Sequence, residues 1–267
     1  MSRARRAVAL TIAGSDSGGG AGIEADLKTF EARGVWGTAA VTAVTAQNSL
    51  GVQACEGVSP ELVRAQMASV AADFGVDAAK TGMLVGAETV ATVAQTVQQL
   101  GIGPLVVDPV LLSGHGDTLL DLDGIDVLRE HLLPLATVVT PNLAEAAALA
   151  QRAVETRQAM EDAALAIGAL GPPVVLVTGG HLAGDSSPDC LYVEGSVRWL
   201  EAPRLAAPHA HGGGCVLSAA VCAELARGMD PGDACVAAKR FTEQAIAAGI
   251  PLGSGMGPVD PGWERSS

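Results

Sequence analysis

The sequence predicts an α/β protein in which helices cover both faces of a mostly parallel central sheet. Short apolar segments alternate with longer segments of helical spacing along the 267-residue chain, as in repeated strand and helix units. The strands predicted at Leu105–Val107 and Val174–Val177 are apolar throughout, which is typical of strands buried on both faces. Ligands of such sheets bind at the carboxyl ends of the strands, so a functional site is expected there.

Composition favours one large domain. Hydrophobic residues make up 49% of the chain, which is enough for a sizeable core. We assign residues 8–260 to a single domain, between a flexible N-terminal tail at 1–7 and a C-terminal tail at 261–267. The five cysteines are odd in number and lack CxxC spacing, which disfavours a disulfide framework and a zinc site.

Charge and hydropathy disfavour several classes of partner. The net charge of −13 argues against binding to nucleic acid or anionic membranes, because phosphate backbones call for basic patches. The apolar segment at 7–13 is too short for a signal peptide core or a membrane span. A cytoplasmic protein that binds small molecules is therefore expected.

The first half of the chain begins with a strand, a loop and a helix. Residues 8–12 predict the strand, residues 13–20 a glycine-rich loop, and residues 21–33 the helix. The loop is too long for a dinucleotide fingerprint and lacks the ending of a Walker A loop, so another small-molecule loop is expected. The elements that follow are a strand at 38–45, a helix at 60–74 after Ser59, a strand at 77–80, a helix at Ala87–Leu100 and the strand Leu105–Val107.

The second half continues the alternation and adds a hairpin. The predicted segments are a helix at 125–133, a strand at 138–140, a helix that 141–145 open and that runs to about 151, a helix at 157–170, the strand Val174–Val177, and helices at 216–227 and 232–248. Residues 191–193 and 197–200 flank a turn that contains glycine and predict an antiparallel hairpin.

A glycine turn precedes the helix at 216–227. The segment from His211 to Cys215 contains three consecutive glycines, whose N–H groups at a helix start can hold an anion such as phosphate. The field of the same helix start is expected to lower the pKa of Cys215, which makes this thiol a candidate base or nucleophile. The alternative is a glycine-rich loop that packs a buried helix beside an inert cysteine.

Acidic side chains follow two predicted strands. Asp108 ends one strand, and Asn142 and Glu145 lie three residues apart after another, an arrangement of oxygen ligands that suits Mg²⁺. The alternative for Asn142 and Glu145 is a helix capping box. Lys80, Lys239 and Arg240 are interpreted as ordinary surface cations, and no histidine spacing resembles a metal site.

Seven segments together carry a resemblance to a known family. They are the segments at 9–30, 45–48 (Thr-Ala-Gln-Asn), 80–84 (Lys-Thr-Gly-Met-Leu), 107–110 (Val-Asp-Pro-Val), 140–145 (Thr-Pro-Asn-Leu-Ala-Glu), 179–182 (Gly-Gly-His-Leu) and 211–215 (His-Gly-Gly-Gly-Cys). In order and over nearly the whole chain, they resemble the bacterial hydroxymethylpyrimidine/phosphomethylpyrimidine kinases of thiamine biosynthesis. The resemblance implies a ribokinase-like three-layer sandwich, a homodimer, and phosphorylation of 4-amino-5-hydroxymethyl-2-methylpyrimidine and then of its monophosphate with ATP and Mg²⁺.

The resemblance also assigns roles to residues by position. The residues implied are Gly14, Asp16, Gln47, Met83 and Val110 for the pyrimidine; Asn142, Thr178, Gly180, His211 and Lys239 for ATP; Asp108 and Glu145 for Mg²⁺; and Cys215 with Gly212, Gly213 and Gly214 for catalysis. Cys215 takes the place of the catalytic aspartate of sugar kinases. The glycine N–H groups are expected to stabilise charge on the transferred phosphoryl group.

Three positions depart from the family pattern. Gly213 stands where threonine is usual, and Thr178 and Gly114 stand where many members have lysine, while His115 is gained. The missing cations predict a lower turnover of the doubly anionic intermediate complex and leave open which of the two steps is preferred. They also leave open a catalytically silent protein that binds the pyrimidine. A pyridoxal kinase, with the same fold and a similar substrate, is the nearest enzyme alternative, and a nucleotide redox protein is the weakest.

Overall fold

An eight-stranded sheet forms the centre of the computed structural model, which describes residues 5–111 and 119–265. The strands of this sheet are β1 (Val8–Ala13), β2 (Trp36–Val41), β5 (Ala78–Thr81), β6 (Leu105–Val107), β7 (Val138–Val139), β8 (Val174–Val177), β9 (Asp189–Val193) and β10 (Ser196–Leu200). Their order is β10-β9-β8-β7-β6-β5-β1-β2. The six strands from β8 to β2 are parallel, and β9 and β10 pair antiparallel at one edge. A separate two-stranded sheet consists of β3 (Ala43–Asn48) and β4 (Gly51–Gly57).

Helices cover both faces of the large sheet. They are α1 (Gly22–Ala32), α2 (Pro60–Asp73), α3 (Ala87–Leu100), α4 (Leu122–Val127), α5 (Leu143–Ala150), α6 (Arg157–Gly168), α7 (Gly213–Ala226) and α8 (Pro231–Ala247). One apolar core lies between the sheet and α2, α3, α5 and α6, and a second lies between the sheet and α1, α7 and α8. The predicted three-layer fold with a mostly parallel sheet is confirmed.

Local signals set the limits of several helices as predicted. The N-cap of α2 is Ser59, whose hydroxyl accepts a hydrogen bond from the Leu62 N–H. Gly101 ends α3 in the left-handed conformation, and Gly212 opens α7 with φ of 83°. Every residue of α7 from Val216 to Leu225 is buried, which explains why this helix has no polar face.

Two predicted elements differ from the structure. The segment predicted as one strand at 38–45 belongs to two strands in different sheets. The chain stops pairing with β1 after Val41, turns at Thr42, and then pairs with β4. The predicted helix at 125–133 begins earlier, at Leu122, and continues as a π turn and a 3₁₀ turn that contains Pro134. Proline lacks the N–H that an α-helix needs at that position. Strand β4 was missed because its exposed, mixed sequence has little apolar alternation.

Side chains of both predicted tails contact the domain. Arg5 pairs with Asp77 at 3.0 Å, and Arg6 pairs with Glu31 at 2.7 Å. Trp263, in a 3₁₀ turn at Trp263–Arg265, lies 6.3 Å from the Phe241 ring centroid. In the described part of the chain, none of the helices has the length and apolar character needed to cross a bilayer.

Candidate active site

A cavity of about 390 Å³ lies at the carboxyl ends of the parallel strands, between the β3–β4 hairpin and the start of α7. It brings together fourteen of the residues assigned from the sequence, namely Gly14, Asp16, Gln47, Met83, Asp108, Val110, Asn142, Glu145, Thr178, His211, Gly212, Gly213, Gly214 and Cys215. The other two, Gly180 and Lys239, line a second cavity of about 310 Å³. The two cavities share Thr178, Gly213 and Gly214, so they meet at the glycine turn.

Gly14 and Met83 shape one wall of the first cavity. A Cβ atom on Gly14 would lie 2.2 Å from the Met83 Cε, so only glycine lets the thioether lie against this backbone. Gln47 follows an irregularity in the pairing of β3 with β4, which turns its half-buried amide toward Thr45 and His211. The Gln47 Nε2 lies 3.4 Å from the His211 Nε2.

Asp16 organises the glycine-rich loop after β1. Its carboxylate accepts hydrogen bonds from the N–H groups of Gly18, Gly20 and Ala21 at 2.8 to 3.0 Å, and lies 3.1 Å from the His211 Nε2. Burial alone would raise the pKa of Asp16, but the contacts with His211 and with the loop N–H groups hold it below its ordinary value. His211, predicted for ATP, therefore lies beside two residues predicted for the pyrimidine.

The glycine turn at the start of α7 depends on one close backbone contact. Gly212 has φ of 83°, and a Cβ atom there would lie 1.8 Å from the Gly20 carbonyl oxygen. Gly213 and Gly214 follow with ordinary φ values, and their Cβ directions are less restricted. The turn thus joins the first loop to α7 and places Gly213 and Gly214, at the start of the helix, where the two cavities meet.

The predicted lowering of the Cys215 pKa is wrong for the substrate-free protein. Burial is the main cause that raises the pKa of Cys215; the Lys80 ammonium opposes it, the carboxylates of Asp108 and Asp26 add to it, and the resulting pKa is about 12. The field of a helix start is too weak to offset this desolvation. The side chain nevertheless lines the cavity beside the glycine turn, where a base would be needed.

The capping-box interpretation of Asn142 and Glu145 is confirmed, and their role as Mg²⁺ ligands stays a prediction. The Asn142 side chain accepts a hydrogen bond from the Glu145 N–H at 3.0 Å, and Glu145 accepts one from the Asn142 N–H at 2.8 Å, which completes the capping box. Glu145 also lines the cavity. Burial first, and then the charge of Asp108, raise the pKa of Glu145 to about 8.

Lys80 is not the surface cation that the sequence suggested. Its side chain is fully buried, with its Nζ 3.0 Å from Asp26 and 3.7 Å from Asp108. Two signals were available in the sequence. A lysine inside a strand covered on both faces has no side open to water, and Asp26 lies among the apolar positions of its helix.

Lys239 is likewise buried, and lies in the second cavity. It pairs with Asp189 at 2.8 Å and with Glu243 at 3.4 Å. The Thr242 hydroxyl lines the same cavity and has no hydrogen-bond partner among the described residues. Arg240, by contrast, is exposed as predicted. Gly114 and His115 lie outside the described residues.

The fold and the two joined cavities define a small-molecule kinase of ribokinase-like fold. The family model described as phosphomethylpyrimidine kinase matches residues 16–260, and the chain belongs to this family. A hydroxymethylpyrimidine/phosphomethylpyrimidine kinase of Streptomyces coelicolor is 52% identical over 254 residues, covering 95% of this chain and 94% of that protein.

Two solved structures extend the comparison to three dimensions. An ADP complex of Bacillus subtilis pyridoxal kinase matches with a TM-score of 0.92 and 40% identity over 98% of this chain and all of that one. A phosphomethylpyrimidine kinase of Clostridium difficile matches with a TM-score of 0.80 and 36% identity over 90% of this chain and all of that one. The family, fold and kinase class predicted from the sequence are confirmed.

Proposed function

We propose that this kinase transfers phosphate from ATP to 4-amino-5-hydroxymethyl-2-methylpyrimidine, and then to its monophosphate, in thiamine biosynthesis. The observation that supports this most directly is that Gln47, Gly14, Met83 and Cys215 line one cavity with the glycine turn. A polar amide, a flat apolar wall and a candidate base beside an anion site suit an aminopyrimidine that carries a hydroxymethyl group.

The residues have separate roles in this proposal. The Gln47 amide donates to a ring nitrogen and accepts from the exocyclic amine, while the pyrimidine ring lies against Gly14 and Met83. Val110 closes the cavity from the strand edge. Cys215, in its thiolate form, accepts the proton of the substrate hydroxyl when the hydroxyl attacks the γ-phosphorus of ATP and ADP leaves.

The second cavity suits the nucleotide. Lys239 and the unpartnered Thr242 hydroxyl offer polar contacts there, and Gly180 lets the chain pass close to the ligand. Gly213 and Gly214 border both cavities, so their N–H groups can hold the phosphoryl group that passes between ATP and the pyrimidine. Thr178 lies at the same junction, where a lysine would add positive charge, so the second phosphorylation is expected to be the slower one.

The acidic corner of the first cavity fits Mg²⁺. Asp108 and Glu145 are buried and repel each other, and the nearby Thr140 hydroxyl has no partner among the described residues. Among the described residues, no group of three or more acidic, histidine or cysteine side chains is arranged to hold a metal ion. ATP phosphates and water would therefore complete the coordination of Mg²⁺ beside Asp108 and Glu145. Bound Mg²⁺ would neutralise charge on the phosphates.

Glu145→Gln is expected to raise the Mg²⁺ concentration needed for half-maximal activity by at least about tenfold, since the amide keeps a cap but lacks the charge. In the metal-free protein the raised pKa means that the fold favours protonated Glu145, so stability falls as pH rises from about 4.5 toward 8. Glutamine removes this dependence. Urea unfolding in EDTA at pH 5 and pH 8, together with a Mg²⁺ titration of activity, checks both effects. If the Mg²⁺ titration is unchanged and the melting temperature is lower, Glu145 acts only in the capping box.

Gln47→Leu is expected to weaken binding of the pyrimidine alcohol by about 1 to 3 kcal/mol, because ring polar groups would lose their partners inside the cavity. Affinity for a non-hydrolysable ATP analogue should stay within about twofold. Isothermal calorimetry measures both. Gln53→Leu, on β4 of the same hairpin but outside the cavity lining, is the control and should change neither affinity. Equal losses for both ligands in Gln47→Leu would count against the role of the amide.

Pyridoxal kinase activity is the second candidate function, favoured by the TM-score of 0.92 with the Bacillus subtilis enzyme. ATP consumption with the pyrimidine alcohol, its monophosphate and pyridoxine separates the candidates, and kcat/KM is expected to be highest for the pyrimidine alcohol. Consumption with pyridoxine alone would favour a pyridoxal kinase, and no consumption would favour the silent binding protein. The homodimer and the cytoplasmic location remain predictions; light scattering tests the first.

A further inference from the structure

A buried charge cluster lies at the floor of the first cavity, which Lys80 and Asp108 line. It consists of Lys80 on β5, Asp26 on α1 and Asp108 after β6, with Thr11 and Ser218 as neutral partners. Lys80 and Asp26 are fully buried, and Asp108 is 6% exposed. The cluster therefore places two carboxylates and one ammonium group where the sheet, α1 and α7 meet.

Hydrogen bonds fix the geometry of this cluster. Asp26 accepts from the Lys80 Nζ at 3.0 Å through one oxygen and from the Thr11 hydroxyl at 2.6 Å through the other. Asp108 accepts from the Ser218 hydroxyl at 2.8 Å, and the same oxygen lies 3.7 Å from the Lys80 Nζ. Lys80 thus links Asp26, which is fully buried in the protein, to Asp108, which lines the cavity.

Stability alone gives no reason for such a cluster. Removing charges from water costs several kcal/mol per ion, and replacing a buried ion pair by neutral groups of similar volume is often neutral or stabilising. Among the described residues, the Lys80 ammonium lowers the pKa of the Cys215 thiol, whereas Asp108 and Asp26 both raise it. The arrangement is therefore better explained by the charge that it supplies to the site.

We propose that Lys80 is a positioning residue for phosphoryl transfer. Lys80 is held in place by Asp26, and it orients Asp108 and provides a fixed positive charge near Cys215. The Lys80 side chain lines the cavity, but its Nζ is held by Asp26 at 3.0 Å, so we assign Lys80 a positioning role and not a contact with the reacting atoms. The charge stabilises the anionic groups that gather at the cavity floor during transfer. This inference deepens the proposed function and rests on it for the kinetic part of the test.

The test removes both charges of the buried pair while keeping polar partners. In the double variant Asp26→Asn with Lys80→Gln, the new Asn amide oxygen still accepts the hydrogen bond that the Thr11 hydroxyl donates, and the two amides can bond to each other. Its kcat for the pyrimidine alcohol is expected to fall about 100-fold, the usual effect of losing a preorganised electrostatic group, while KM changes less than about threefold and the melting temperature stays within a few degrees. A double variant that keeps more than a tenth of the native kcat would overturn the proposal.

Thiol alkylation supplies a readout that does not depend on the substrate. Iodoacetamide should modify Cys215 at least about threefold more slowly in the double variant at pH 8, because the thiolate loses its nearby cation. Peptide mass spectrometry separates Cys215 from the exposed Cys55. If the native protein does not phosphorylate the pyrimidine, the proposed function fails, and the alkylation rates still decide the role of Lys80. Equal rates would overturn it.

A second buried ion pair that involves α1 is the matched control. Arg33, the residue that follows α1, pairs with the buried Glu224 near the end of α7, away from both cavities. Arg33→Gln with Glu224→Gln should leave kcat and the alkylation rate within about twofold of native values. If Asp26→Asn with Lys80→Gln does not fold, the apolar pair Asp26→Leu with Lys80→Met takes its place. Failure of both pairs to fold would make the cluster a folding determinant and overturn the proposal.

Discussion

Cys215→Ala is expected to lower kcat for the pyrimidine alcohol by about 10²-fold or more, the scale on which a general base contributes. Pyrimidine affinity and melting temperature should stay close to native values, because alanine keeps the Cβ of the cysteine and removes only its Sγ. Stopped-flow or steady-state kinetics beside calorimetry separate the two effects. Native kcat/KM should also rise with pH above neutrality, because burial raises the pKa of the free thiol to about 12, and this rise should be absent from the alanine variant.

Two companion variants make the Cys215 result specific. Cys222→Ala changes another buried cysteine of α7 that does not line the cavity, and it should keep kcat within about twofold of native. Cys215→Asp should recover part of the activity, because a carboxylate is also a base. If Cys215→Ala turns over at a near-native rate, the thiol only packs, and the glycine N–H groups act without it.

Gly212→Ala is expected to have the second large effect. A methyl group there would lie 1.8 Å from the Gly20 carbonyl oxygen, and φ of 83° is itself unfavourable for alanine. The atoms that the methyl group would meet belong to the backbone of Gly20 and Ala21, so the clash is relieved only if the turn moves. This movement should reduce the free energy of unfolding by about 1 to 3 kcal/mol. The displaced N–H groups should also lower kcat at least about tenfold. Urea unfolding and steady-state kinetics measure the two losses.

Gly214→Ala is the matched substitution two residues later. Its φ is ordinary, and nothing lies within 4 Å of the added Cβ. Its free energy of unfolding should therefore stay equal to or above the native value, since alanine is a better helix former than glycine. Equal stability losses in Gly212→Ala and Gly214→Ala would show that the close contact with Gly20 does not fix the turn.

The sequence predicted the parts of the fold that rest on local signals. The limits of α3 and β6 follow from an apolar period and from flanking glycine and proline, and the structure has them as predicted. The break at Thr42 is different, because nothing local distinguishes a strand that changes sheets from one that continues. In the structure, Thr42 is held by residues distant in sequence, since its N–H donates to the Ala13 carbonyl and its hydroxyl donates to the Met83 carbonyl.

The candidate site shows the same division. The resemblance placed the residues of the cavity, but it did not indicate that His211 lies beside Asp16 and Gln47. The pKa of Cys215 depends on burial and on charges from other elements, which no motif contains. Lys80 was misassigned for the same reason, since its partners are 54 and 28 residues away in sequence.

Product analysis tests the central claim most directly. The native protein is incubated with Mg²⁺, ATP and 4-amino-5-hydroxymethyl-2-methylpyrimidine, and the pyrimidine products are followed by mass spectrometry over time. Our account predicts that the monophosphate appears first and is then converted more slowly to the diphosphate, with one ADP formed for each phosphate transferred. A reaction in which the pyrimidine alcohol is recovered unchanged while the protein remains folded and binds ATP would contradict it.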